Sequence, residues 1–256
     1  MEQFTRESVA IPAYWGIAGY PIAHSITPKL FTIVGESLGM SGTQCVFIEA
    51  ESIDEFEENI ANLDGELWLS CTAPLKHSPQ IRLGVNGPRG VNAVNQLKRV
   101  DGDWLATSTD GVGFIAACRH IEVEPRGSIL RIRGGGSAAR AIAAEWAAAG
   151  GKIIPVTGRR ALISGPWDGA IIIDGGKAEA DIAIDLDADA GGGDSVELSA
   201  KLQVSISYGE GANSDEFAVI MVVAQHLEAW KILYAPERAS DLPTLSFLLE
   251  RLSRFN

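Results

Sequence analysis

Ser128-Ile129-Leu130-Arg131-Ile132-Arg133-Gly134-Gly135-Gly136-Ser137-Ala138-Ala139-Arg140 is the stretch that decides the fold. The apolar run through Ile132 reads as a β-strand, the three glycines as a tight turn, and the alanine-rich segment to Ala149 as a helix stopped by Gly150-Gly151. Gly134, Gly136 and Ala139 fit G-x-G-x-x-A in a strand, turn, helix setting, where backbone N–H groups and a helix N-terminus can meet a pyrophosphate. Tight turns also need glycine for steric reasons, so the loop by itself leaves dinucleotide binding and plain turn geometry equally open. The next strand, Lys152 to Val156, ends in Thr157-Gly158-Arg159-Arg160 with no acidic residue. An acid there would hold the ribose hydroxyls of NAD, whereas arginine suits a 2′-phosphate, so the expected cofactor is NADP rather than NAD. Gly134, Gly135, Gly136, Ser137, Ala138, Thr157, Arg159 and Arg160 are the candidate cofactor residues.

Working back toward the N-terminus, strands and helices alternate. Tyr14 to Ala18 reads as a strand ended by Gly19 and Pro21. A helix with Thr27 as N-cap and Pro28 at its first position should run through Leu38. Gln44 to Glu49 is a second strand, Ser52 to Leu63 a helix capped by Ser52, and Leu67 to Cys71 a third strand. This alternation predicts a parallel sheet, whose ligands gather at the carboxyl ends of the strands.

Polar clusters fall at those ends. Ser70-Cys71-Thr72-Ala73-Pro74-Leu75-Lys76 and Thr107-Ser108-Thr109-Asp110 are bridged by Ala93-Val94-Asn95, and Gly19-Tyr20-Pro21-Ile22-Ala23-His24-Ser25-Ile26-Thr27-Pro28 lies upstream. An ammonium and a carboxylate among small hydroxylated neighbours can move a proton on and off a substrate hydroxyl. Taken singly, Lys76 reads as a surface lysine, Asp110 as a helix cap, Asn95 as a turn residue and Gln225 as part of a solvated helix face. Taken together, their order and spacing from Trp15 to Trp230 resemble the shikimate dehydrogenase family.

That resemblance implies interconversion of 3-dehydroshikimate and shikimate with a nicotinamide cofactor, usually NADP. It makes Lys76 and Asp110 the catalytic pair. It places Ser25 and Thr27 on the substrate carboxylate, Ser70 and Thr72 on an Asn-Val-Thr motif, Asn95 on a ring hydroxyl and Gln225 on the substrate from a C-terminal helix. Thr27, where shikimate-specific members often carry Ser, leaves a quinate or aminoshikimate dehydrogenase open. His24 reads as structural and His77 as a solvated loop residue.

The departures from the family lie in the cofactor half and leave a third alternative, a catalytically silent member that only binds ligand. Thr157 to Trp167 has room only for a turn before an expected strand at Ala170 to Ile173. Asp174-Gly175-Gly176 stands for an Asn-Ala-Thr loop, Asp181 to Leu186 lacks the family's substrate-touching tyrosine, Ala218 replaces a glycine, and Arg133 takes an apolar position.

Composition bounds these readings. With 256 residues, 46% hydrophobic and 21% charged, the chain can build two modest cores. A net charge of −12 argues against nucleic acid or an anionic membrane as partner. Three scattered cysteines, Cys45, Cys71 and Cys118, suggest neither disulfides nor a metal site, and no membrane-spanning apolar run stands out, so a cytoplasmic protein is expected. The resemblance implies a small cyclic hydroxy-carboxylate as partner, and monomer or homodimer are both open. The expected architecture is α/β: an N-terminal α/β substrate-binding domain of residues 1–110, completed by C-terminal helices of residues 217–256, plus a shortened Rossmann dinucleotide-binding domain of residues 111–216.

Overall fold

The computed structural model describes residues 11–173, 178–187, 196–208, 213 and 216–254. Its first sheet has the order β2-β1-β3-β4-β5. The strands are β1 (Tyr14–Gly19), β2 (Gln44–Glu49), β3 (Leu67–Cys71), β4 (Gln96–Val100) and β5 (Asp103–Thr107). β1 runs parallel to both β2 and β3, as alternation with helices requires. The parallel sheet foreseen from the sequence is mixed, however, because β4 and β5 run antiparallel. They form a hairpin turned by Asp101 and Gly102, both at positive φ (52° and 87°), the conformation that an Asp-Gly pair supplies at little cost.

Helix α1 (Thr27–Ser37) begins one residue earlier than foreseen. Ile26 already has helical angles at the N-cap position, so Thr27 is not the cap. Its backbone N–H donates to Ser25 Oγ at 3.3 Å, and the capping oxygen therefore comes from Ser25. Helix α2 (Ile53–Ile60) is capped by Ser52, which accepts from the Glu55 N–H. After β3, a single tight turn at Leu75–His77 carries Lys76 into the short α3 (Ser78–Arg82).

The second sheet has the order β7-β6-β8-β9, all parallel, with β6 (Ile129–Arg133), β7 (Lys152–Val156), β8 (Ala180–Asp185) and β9 (Ala200–Val204). Helix α5 (Ser137–Ala148) follows the glycine turn. The chain from Thr157 to Trp167 forms no helix. The strand expected at Ala170 to Ile173 is reduced to one bridge, Ile171 against Ile153, with Ile172 N–H donating to the Ile153 carbonyl at 2.8 Å. Trp167 explains the reduction: its fully buried indole anchors the loop and donates to the Ile163 carbonyl at 3.0 Å, so the chain meets β7 only in passing. β7 is thus the edge strand, and it contains Pro155. The loop Asp174-Gly175-Gly176 lies outside the described residues.

Helix α4 (Asp110–His120) joins the two sheets and packs against α5 and α6 (Phe217–Ala229). The chain continues from α6 through a wide helical turn, Trp230–Tyr234, and ends in α7 (Leu245–Ser253). Phe217–Tyr234 is long and apolar enough by composition to cross a membrane, a run that the sequence reading passed over. It is 67% buried inside the protein and serves as the central core helix. Its aromatic end meets Phe31 of α1, whose ring lies 4.5 Å from that of His226, 5.2 Å from Tyr234 and 5.8 Å from Trp15. Phe31→Ala should cost about 3–5 kcal/mol, the usual loss for emptying a closed aromatic site, read as a lower urea midpoint.

Candidate functional site

A cavity of about 560 Å³ opens between the carboxyl end of the first sheet and helices α5 and α6. Lys76 and Asp110 meet on its wall. Asp110, the first residue of α4, is buried to 2% exposure, and Lys76 Nζ donates to both of its oxygens at 3.0 and 2.7 Å. Asn95 Nδ2 donates to Asp110 Oδ1 at 3.0 Å, and Asn95 Oδ1 accepts from the Thr109 N–H at 2.7 Å. The carboxylate therefore has two side-chain donors and a helix N-terminus to balance its charge.

Behind this layer lies Gln96, which the sequence reading did not single out. Its Oε1 accepts from Ser70 Oγ and from the Tyr234 hydroxyl, each at 2.8 Å, while its Nε2 donates to Thr109 Oγ1 at 3.1 Å. Ser70 lines the cavity, but its hydroxyl hydrogen is directed into this network. The register pairs Ser70 with Gln96 across β3 and β4, which sets the two side chains on one face.

Ser25, Thr27, Thr72 and Gln225 line the same cavity. Gln225 reaches it because Gly113 lets α6 approach α4: a Cβ on Gly113 would come within 2.8 Å of the Gln225 Cα. Tyr208 also lines the cavity, four residues beyond β9, with its phenol bonded to the Ser25 side chain and the Ile26 backbone. A tyrosine thus enters this site after β9, although none is present in Asp181 to Leu186, where the sequence reading looked for one. His24 lies against it, the rings 5.8 Å apart.

The candidate cofactor residues gather at the ends of β6 and β7. Gly134 has φ 102°, and Gly136 occupies the N-cap of α5 without any side-chain cap, leaving the first N–H groups of that helix uncapped by side chains. Ala138 lines the main cavity and so joins the two regions. Thr157, Arg159 and Arg160 are exposed. His77 is not the solvated loop residue foreseen: Ser137 Oγ lies 2.8 Å from its Nε2, and burial, followed by the charges of Arg140, Arg160 and Lys76 against the opposing Asn92 carbonyl, holds its pKa down. Arg140 is likewise lowered, by burial and then by Arg160. Arg133, out of place in an apolar strand, donates from Nη1 to both oxygens of Asp185 at 2.9 and 3.0 Å, its partner across β6 and β8.

Among curated proteins, the NADP(+) shikimate dehydrogenase of Bacillus cereus is 33% identical over 149 residues, 57% of this chain and 53% of that relative. The enzyme of the same name from Xylella fastidiosa is 32% identical over 135 residues. Over the aligned part the chain is similar to shikimate dehydrogenases. The aligned part spans about half the length of the curated relatives it matches. No family model matches the sequence. The fold agrees over nearly the whole chain with the Thermus thermophilus shikimate 5-dehydrogenase in complex with NADP(H) and shikimate, at a TM-score of 0.74 and 22% identity, covering 94% of this chain and 98% of that one. An Ael1 enzyme from Pseudomonas putida matches at a TM-score of 0.70 and 19% identity, covering 94% of this chain and 98% of that one.

His226, on the cavity wall, accepts from Trp230 Nε1 at 2.9 Å, and burial pushes its pKa from 6.5 down to about 3. The folded state favours the neutral ring, so this stability is present above the unfolded value and is lost as the pH falls toward about 3. The loss at about pH 5 is on the order of 2 kcal/mol. Urea midpoints at about pH 7 and pH 5 should differ accordingly in the wild type and much less in His226→Gln.

Proposed function

We propose that the protein is an NADP-dependent shikimate dehydrogenase, reversibly reducing 3-dehydroshikimate to shikimate. The observation that carries this reading is the ammonium of Lys76, seated on both oxygens of a buried carboxylate in the wall of a cavity that also presents Ser25, Thr27 and Gln225. Residues 1–110 with 217–256 would form the substrate-binding domain, and residues 111–216 the cofactor domain.

The chain suits a phosphorylated cofactor. The uncapped start of α5 offers backbone N–H groups, and Arg140 and Arg160 bring positive charge beside it. Gly134, Gly135, Gly136, Ser137 and Ala138 would hold the pyrophosphate, and Thr157, Arg159 and Arg160 the 2′-phosphate end. NADPH bound there would supply a hydride, the hydrogen and two electrons that the substrate carbonyl carbon takes up.

The remaining work belongs to the protein. Lys76 donates a proton to the oxygen as negative charge develops on it, and takes one back in the reverse direction. Asp110 keeps the ammonium aimed, and Asn95 fixes the carboxylate. Ser25 and Thr27, at the start of α1 with the Tyr208 phenol beside Ser25, would hold the substrate carboxylate without a basic residue. Thr72 and Gln225 would meet ring hydroxyls, and Ser70 acts through Gln96.

Lys76→Ala should lower kcat by about 10²- to 10⁴-fold, the range for a general acid, with a smaller change in KM. A near-normal kcat would remove Lys76 from the proton step. Ser25→Ala should raise KM chiefly, because its contact is made equally in ground and transition states. Side-by-side absorbance assays with shikimate and quinate, each with NADP⁺ and NAD⁺, test the substrate and the cofactor together. Thr27→Ser should shift the ratio of quinate to shikimate activity if the Thr27 methyl shapes the pocket. Absence of turnover in every combination would leave the silent binder.

A further inference from the structure

β8 does not end freely. Past Asp185 the chain turns back over the glycine loop, with Leu186 N–H donating to the Arg133 carbonyl at 3.0 Å and Asp187 N–H to Asp185 Oδ1 at 3.0 Å. This turn carries the Asp187 carboxylate across the end of β6 to the end of β7. Its Oδ1 stands 2.8 Å from where a Cβ on Gly134 would be, and a Cβ on Gly158 would fall inside the carboxylate itself. Only glycine at those two positions admits it.

Asp187 is bound on arrival. Its Oδ2 accepts from the Arg159 N–H, its carbonyl accepts from Arg159 Nη2 at 3.0 Å, and Oδ1 lies 3.9 Å from Arg159 Nε. The carboxylate side chain is 10% exposed, whereas that of Arg159 is 71% exposed. The crevice at the carboxyl ends of the central strands is where open parallel sheets take a nucleotide, with the phosphates against the first glycine turn. A fixed negative charge stands in it here, and it holds the arginine that a phosphate would use.

We propose that Asp187 is an internal anion that competes with the phosphates of the nucleotide for the β6–β7 crevice, and so sets how weakly the cofactor binds. The proposal rests on the NADP reading above. Asp185, its neighbour, is buried and bonded through both oxygens to Arg133, so the competing charge is assigned to Asp187. Like charges at close range in a partly shielded crevice repel, and removing one should favour the nucleotide that carries more phosphate.

Calorimetric titration of the full chain with NADP⁺ and with NAD⁺ tests this. Asp187→Asn keeps an acceptor for the Arg159 N–H and removes the charge, and it should lower the Kd for NADP⁺ by about tenfold, equivalent to about 1.4 kcal/mol, and that for NAD⁺ by less. Asp187→Glu, which keeps the charge, should stay within about threefold of the wild type, and Asp187→Ser provides a second uncharged variant should Asn fail to fold. Unchanged or weaker NADP⁺ binding by the uncharged variants, beside measurable wild-type binding, overturns the proposal. Equal tightening by Glu overturns it too, since loosening of the loop rather than charge would then be responsible. Absence of NADP⁺ binding by the wild type and every variant overturns the NADP reading and the proposal with it.

Discussion

A carboxylate buried to 2% exposure must be neutralised where it stands, and the arrangement around Asp110 is organised by that need. Lys76 arrives from the turn after β3, Asn95 from the residue before β4, and the helix start from α4 itself. Each donor comes from a different stretch of chain, so the position of the charge fixes the relation between three elements. Gln96 extends the constraint, since it bonds Thr109 on one side and the Tyr234 hydroxyl on the other. The helical turn that follows α6 is thereby tied to the loop that precedes α4. Lys98 adds a second tie, donating to the Tyr234 carbonyl at 2.9 Å while its ammonium sits 5.1 Å from the Trp68 ring.

The parts of this fold readable from the sequence are those with sharp local punctuation. β2, β3 and β7 begin and end at the residues anticipated, because each is a short run of β-formers bounded by glycine, proline or polar residues. The β4–β5 hairpin was equally readable, since Asp101-Gly102 between Gln96-Leu97-Lys98-Arg99-Val100 and Asp103-Trp104-Leu105-Ala106-Thr107 is a strong turn signal. Gln96 is harder to find. A glutamine opening a strand usually faces solvent, and only the cross-strand partner Ser70 and the distant Tyr234 make it an interior residue. Tyr208 is similarly hidden, because β9 is composed of Ala200-Lys201-Leu202-Gln203-Val204, a weak strand pattern whose role comes from pairing with β8.

Around the second sheet, irregular residues belong to pairs. Arg133 is unexpected in an apolar strand, but the register sets it beside Asp185 at the end of β8. Neither residue reveals the other along the chain, since 52 positions separate them. His77 joins the two halves in the same way, reaching Ser137 from the loop that holds Lys76. Tertiary pairing therefore accounts for irregularities that local pattern can only register.

The chain between β7 and Ile171 forms no helix, and among the described residues one flank of the second sheet is met only by the Ile171 bridge. Ile172 bonds the outward-facing carbonyl of Ile153, and residues two apart along a strand face the same way, so the backbone nitrogen of Pro155 also points outward. A proline nitrogen has no hydrogen to donate. The edge strand β7 therefore lacks a ladder donor at Pro155, which weakens any pairing along it, in keeping with the way natural sheets protect exposed strands.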